Sequence, residues 1–438
     1  MRAHSRSSIP SQWLPFIGNR LGLAKRLCSV AADPEDLDLH QVFPVTAPLA
    51  RLLDDSREFE PRAGGTGVFL SDAISRAMGE LLERYAALAF KGGRRMVASY
   101  KAMEDQGYRT VPFEFLTHFS REQLITAGFP YTAFTNQTAV AWYEGTDLLS
   151  GTHIYAPAQL LSLSHDAGPD EVSTCFYSTS SGCALATSIE GAVLSGLLEA
   201  IERDAVMIRW YARLAPPVLE LDPDAVLDRH LGLPSRGLDI RFLDMTVDGS
   251  VPVVGVTCVE TTGRSCFFLL SAAAGLDTIA AARKALIEAG QGRPFVKMLS
   301  GMGDAQRVGD TFRDFDSNVR FYAEPSNAPY VEWFLHNTSV STRHIPAPSG
   351  PKDPLALCGD LLERCAAAGL TPIAFDMTPS ELREHGLFVC RVYVPELVPL
   401  CVPFAPFLGH PRLASAMAEA GCDRSAASIG NWAPHPFP

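Results

Sequence analysis

Apolar side chains recur at three- and four-residue spacing through Ile74, Met78, Leu81, Leu82 and Tyr85. That rhythm lines one face of an α-helix, and Ser71 stands where it could cap the first turn. A second pattern of this kind spans about residues 188–210, with Thr187 and Glu190 at capping-box spacing. A third, rich in alanine, spans about residues 276–290. Elsewhere the apolar positions form short β-rich runs. Residues 238–245, 251–259 and 266–271 predict strands. The turn-like Thr261-Thr262-Gly263-Arg264 joins the last two as a hairpin. Residues 372–377 and 387–394 predict two more strands around a short polar segment. Strands and helices intermix without a βαβ rhythm. The pattern predicts an α+β fold of mixed sheets and packed helices, one large domain built from two related halves. Residues 1–60 read as an N-terminal extension. It ends in a polar stretch before Gly64, Gly65 and Gly67, leaving 61–438 as the domain, with a proline-rich tail at 430–438.

Composition narrows the classes. A chain of 438 residues that is 47% hydrophobic can bury a substantial core. Its net charge of −12 excludes a general nucleic-acid binder, which needs a basic surface. No apolar run reaches the roughly 18 residues of a membrane span. The basic segment 1–28 lacks the apolar core and cleavage site of a secretory signal. A cytoplasmic protein is expected. The ten cysteines form no CxxC pair and read as reduced core residues, and the histidines form neither HxH nor HExxH.

The chemistry sits on the helices. The first contains Glu80-Leu81-Leu82-Glu83-Arg84 and the second Glu199-Ala200-Ile201-Glu202-Arg203, two copies of ExxER in apolar surroundings. Residues three apart share a helix face, so each helix presents two carboxylates together. Two such helices face to face would gather four carboxylates, which repel in a dry site. Mg²⁺ relieves that repulsion, because it takes hard oxygen ligands and readily adds substrate phosphates. Arg84 and Arg203 could pair with phosphate or hold the carboxylates. The third helix adds Lys284, Glu288, Gln291 and Arg293. A single ExxER usually marks a solvated face with one salt bridge; the repetition in apolar helices is what lifts these two above that reading. There is no GxxxxGK[ST] loop and no GxSxG elbow.

These stretches resemble the nucleotide-site motifs of the YcaO family. Residues 75–84 (SRAMGELLER) resemble the first motif, residues 196–205 (GLLEAIERDA) the second and residues 284–293 (KALIEAGQGR) the third. Residues 386–399 (GLFVCRVYVPELVP) are similar to the family's late region. The resemblance covers about residue 62 to the end. It departs at Lys284, where arginine is usual, at Thr187 and Gly191 in the second motif, and at Thr66 in the glycine-rich stretch. The resemblance implies an ATP and Mg²⁺ site. Glu80, Glu83, Glu199, Glu202 and Glu288 would hold the metal, and Ser75, Arg84, Arg203, Lys284, Gln291 and Arg293 would touch or orient ATP. It implies activation of peptide amides by phosphorylation. The ending Pro434-His435-Pro436-Phe437-Pro438 resembles the PxPxP tail of azoline-forming members, with the Pro438 carboxylate a candidate for proton transfer. The resemblance thus implies a cyclodehydratase that makes thiazoline or oxazoline from Cys, Ser or Thr of a ribosomal precursor peptide. The partners implied are that peptide, a ubiquitin-activating-enzyme-like protein that binds its leader, an FMN-dependent azoline dehydrogenase, and a second copy of the chain. Thioamide or amidine formation, and a degenerate scaffold subunit, are the alternatives.

Overall fold

The computed structural model describes residues 9–20, 22–34, 36–46, 63–90, 95–165, 167–229, 231, 237–249, 251–261, 268–300, 315–422 and 433–437. Its strands form three antiparallel sheets. The first joins β1 (Ala24–Val30), β2 (His40–Thr46) and β3 (Gly65–Gly67) in that order. The second has β4 (Arg95–Ser99), β5 (Ala139–Asp147), β12 (Ile373–Asp376), β13 (Phe388–Tyr393) and β7 (Cys183–Ala186), with β6 (His153–Pro157) also on β5. The third runs β11 (Phe268–Ala274), β10 (Val253–Glu260), β9 (Leu238–Asp244), β8 (Val218–Leu219). The hairpin expected from the sequence is β10–β11, pairing Val253 with Ala274 through Val259 with Phe268. Residues 262–267 of its turn lie outside the described residues.

The longer helices are α1 (Leu70–Ala89), α2 (Ile189–Tyr211), α3 (Thr278–Ser300), α4 (Phe315–Ala323), α5 (Pro354–Ala367) and α6 (Pro411–Glu419). The first three bear the candidate motifs and differ from expectation at their ends. Phe69, not Ser71, is the N-cap of α1, and Ser71 falls inside the first turn. Ser188 rather than Thr187 caps α2, its hydroxyl accepting the Gly191 N–H. That bond needs no side chain on residue 191, so the glycine there costs the cap nothing.

Helix α3 continues ten residues past its expected end, through Gly290, Gly292 and Pro294. Proline lacks the N–H that would bond the carbonyl four residues back. The Gly290 carbonyl is taken instead by the buried Gln41 side chain on β2, at 2.9 Å. The glycines permit close packing. A Cβ at Gly290 would sit 2.6 Å from Leu39, and one at Gly292 would sit 3.0 Å from Leu269. Tertiary packing thus overrides the helix-breaking composition.

Residues ahead of position 60 belong to this packing. Trp13, Phe16, Leu37, Leu39 and Val42 are all buried. Leu37 and Leu39 pack in one core cluster with Ala285, Leu286 and Ala289 of α3. Where α2 meets the turn before β7, both carry glycine. A Cβ at Gly196 of α2 would run into the Gly182 carbonyl, and Gly182 itself has φ +79°, open to glycine at little cost. The close approach sets α2 against the turn before β7, with its motif side free to meet α1 and α3.

Candidate functional site

The three motif helices converge. Glu83 of α1 lies in the field of Glu199 and Arg203 of α2, and Glu202 of α2 meets Lys284 of α3. Arg76 of α1 in turn acts on Glu288 of α3. Each carboxylate has a distinct setting.

Glu80 accepts the Gly64 N–H at 2.8 Å and the Arg84 guanidinium at 2.6 Å. Gln291 closes on the same glycine: a Cβ there would lie 3.3 Å from its amide nitrogen. Glu83 is held by burial, then by repulsion from Glu199 and Glu80, so its carboxyl is pushed well above the usual range. Glu199 accepts two N–H groups of Arg203, at 3.2 and 3.4 Å. Burial still raises its carboxyl, with Arg203 opposing.

Glu202 is the most enclosed, 1% exposed. Its Oε2 accepts the Ala274 backbone N–H at 3.3 Å and Lys284 at 3.4 Å. Its Oε1 accepts no hydrogen bond and stands 3.5 Å from Arg203. Lys284 also reaches Glu288, at 3.7 Å. Burial lifts the Glu288 carboxyl to about 7. Glu202 adds to the rise, against the pull of Lys284, Arg203 and Arg76.

The site therefore interleaves carboxylates from three helices with Arg76, Arg84, Arg203 and Lys284. Among the described residues no three acidic, cysteine or histidine side chains already form a metal cage. Mg²⁺ does not require one, since it keeps waters and binds through one or two carboxylates plus phosphate oxygens. The buried Glu202 Oε1 without a donor, and carboxyls raised by burial and then by mutual repulsion, fit a divalent cation. Glu80, Glu83, Glu199, Glu202 and Glu288 are the carboxylates that could hold it.

Two residues expected at ATP, Arg293 and Ser75, have partners within the fold. Arg293 is fully buried, its Nε 3.2 Å from Asp36 and Nη1 3.9 Å from the Cys258 sulfur. Its guanidinium is spent on the fold rather than on a ligand. Ser75 accepts the Trp13 indole N–H at 3.2 Å, which leaves its hydroxyl proton able to donate elsewhere. Pro438 lies outside the described residues, but Phe437 does not: its ring sits 4.6 Å from the Arg203 guanidinium carbon. Sequence reasoning missed Arg76, the Gly64 and Ala274 N–H groups, and Phe437. Only Arg76 had a signal, standing four residues before Glu80 on a helix face.

Mg-ATP binding is expected to release protons near pH 7. Raised carboxyls must ionise to bind the metal, so affinity should fall as pH drops through about 7, the Glu288 value. The ligand-free fold shows the opposite sense. A carboxyl raised in the folded state gives stability below its unfolded value, and that stability is lost as pH rises through about 7. Calorimetry in buffers of different ionisation enthalpy measures the released protons; none at pH 7 would contradict the assignment.

The comparisons bear on this geometry. A family model described as YcaO cyclodehydratase, ATP- and Mg²⁺-binding, matches residues 64–398. An uncharacterized protein of Methanothermobacter thermautotrophicus is 25% identical over 66% of this chain and 71% of its own length. One from the tfuA 3′ region of Rhizobium leguminosarum bv. trifolii is 34% identical, over 26% of this chain and 28% of its own. Among solved structures, a heterocyclase in complex with substrate and cofactor superposes with TM-score 0.75 at 21% identity. That match covers 97% of this chain, which spans 56% of the heterocyclase's length. YcaO from Methanopyrus kandleri, bound with AMPPCP and Mg²⁺, gives TM-score 0.59 at 20% identity, with 86% of each chain covered. A chain of the E. coli microcin synthetase McbBCD complex gives 0.61 at 15% identity, covering 94% of this chain and 96% of that one. The fold is the mixed α+β fold of these proteins, and the chain belongs to the YcaO cyclodehydratase family, whose members bind ATP and Mg²⁺.

Proposed function

We propose that this chain is a peptide cyclodehydratase that turns Cys, Ser or Thr residues of a ribosomal precursor into azolines. The observation that carries the reading is the three-helix array of carboxylates with Lys284 and Arg203 between them, the charge pattern that a phosphoryl-transfer site needs.

Bound Mg²⁺ would neutralise charge on the transferring phosphoryl group. The chain's own groups supply the rest. Arg203 and Lys284 are fixed by Glu199, Glu202 and Glu288 and so are preorganised toward the triphosphate. The substrate thiol or hydroxyl loses its proton and attacks the preceding backbone carbonyl carbon. The oxyanion so formed takes the γ-phosphoryl group and ADP leaves. Loss of the amide proton and of phosphate then closes the C=N bond of the ring. We extend the proposal to site roles for Gln291, beside Gly64, and for Arg84, paired with Glu80. A leader-binding partner resembling ubiquitin-activating enzymes would present the peptide, and an FMN-dependent dehydrogenase would follow. Structural neighbours support a peptide-modifying complex: one is the E. coli microcin synthetase McbBCD complex with pro-MccB17 bound. No helix among the described residues is long and apolar enough to cross a membrane, which accords with a cytoplasmic setting.

The test is ATP hydrolysis by the chain with its partner and precursor, with the peptide weighed afterwards. Peptide-dependent phosphate release with loss of one water per ring supports the proposal. A mass gain corresponding to oxygen-for-sulfur exchange would assign a thioamide instead. No release and no mass change would leave the chain a scaffold.

A further inference from the structure

The described C-terminal residues are held by one helix. Asn318 of α4 donates its amide N–H groups to the carbonyls of His435, at 2.8 Å, and Phe437, at 3.1 Å. One turn on, the Tyr322 hydroxyl donates to the Pro434 carbonyl at 2.7 Å. From the other side His435 places Nε2 2.7 Å from the Cys401 carbonyl. Burial lowers the His435 pKa to about 4, so the ring is neutral there and donates that bond from Nε2. Asn318, Tyr322 and His435 are all buried. Proline at 434 and 436 has no N–H to satisfy, so this short segment is anchored almost wholly through its carbonyls. The last described residue is Phe437, 3% exposed, whose ring lies against Arg203.

Arg203 therefore has two neighbours of different kinds. Glu199 and Glu202 hold it by charge, and the Phe437 ring covers a face of the guanidinium. An aromatic face attracts a cation and excludes water from it. It also limits where a planar guanidinium can turn. We propose that α4 and residues 434–437 form a clamp that seats Phe437 on Arg203, and that the seated ring is a positioning element for the nucleotide site. Asn318 and Tyr322 are then positioning residues acting through Phe437. The clamp concerns nucleotide binding alone and stands whether or not the product is an azoline. It also makes a thermodynamic demand: if a seated tail favours nucleotide, nucleotide must favour a seated tail by the same factor.

Three measurements on the full chain test it, with Mg-ATP as the probe. In the unaltered protein, saturating Mg-ATP should slow hydrogen exchange at the His435 and Phe437 amides. Phe437→Leu keeps apolar bulk but removes the ring, and should weaken Mg-ATP binding by about threefold to tenfold. Tyr322→Phe keeps the ring packing of residue 322 and removes only the hydroxyl on Pro434. It should speed tail exchange and weaken Mg-ATP binding in the same direction. The double variant should bind Mg-ATP no more weakly than Phe437→Leu alone, because both changes act through one contact. Fully additive losses would show instead that the two residues serve the fold separately, and would overturn the clamp. So would tail exchange that ignores Mg-ATP in the unaltered protein, a readout that needs no variant to fold.

Discussion

Glu202→Gln is expected to cut ATP-dependent turnover by about a hundredfold or more, with Mg-ATP affinity falling as well. No other carboxylate of the site meets so many elements. Glu202 joins α2 to β11 through the Ala274 N–H, to α3 through Lys284, and lies beside Arg203. The amide keeps the shape and one acceptor oxygen, but it cannot neutralise either cation, and its own N–H groups would face donors. Lys284 is 41% exposed and would swing to water, which leaves the fold intact and the site without its order. The measurement is therefore a paired one. Unfolding by heat should be little changed while Mg-ATP affinity and turnover both fall. Unaltered nucleotide affinity would remove Glu202 from the site. Glu80→Gln should do less, because Glu80 is more exposed and its partners, the Gly64 N–H and Arg84, are both donors that an amide oxygen can still serve in part.

The parts of this arrangement that the sequence disclosed are those written in local periodicity. The ExxER copies put carboxylate pairs on single helix faces, and the structure brings those faces together. The β10–β11 hairpin was legible because its strands are adjacent and β-rich. Cap positions were off by one or two residues: Thr187 is as good an acceptor chemically as the Ser188 that caps α2, and α1 starts at Phe69 with no side-chain cap, so residue type alone places neither end. The length of α3 was not legible at all. Gly290, Gly292 and Pro294 each argue for a stop, and only a glutamine 249 positions away, satisfying one carbonyl, lets the helix go on. Phe437 against Arg203 is hidden for the same reason. Nothing in a phenylalanine at 437 announces a partner on a distant helix, and the seat that delivers it is made by two α4 side chains bonding to backbone carbonyls.

Arg293 carries the sharpest distinction between pattern and place. As the last residue of the third motif it was expected at the nucleotide, yet it is inside, pointing at Asp36. Asp36 also receives Lys297 at 3.0 Å, and the Cys258 sulfur lies beside the guanidinium, so one arginine ties the N-terminal segment, β10 and α3 together. Its value is then to the fold. Removing one partner of a buried ion pair costs about 3–5 kcal/mol, even though Asp36 here keeps Lys297. Arg293→Met should accordingly destabilise the protein by about 3–5 kcal/mol in denaturant unfolding, with Mg-ATP affinity of the folded protein unchanged. Asp36→Leu added to it should recover little of that loss, since Lys297 would in turn lose its buried partner. Arg293→Lys should not substitute well, because a single ammonium cannot serve carboxylate and sulfur from a planar fork. The reverse outcome, full stability with weakened nucleotide binding, would put the guanidinium at the ligand. It would also turn the end of α3 toward the site, on the side the Asp36 pairing now excludes.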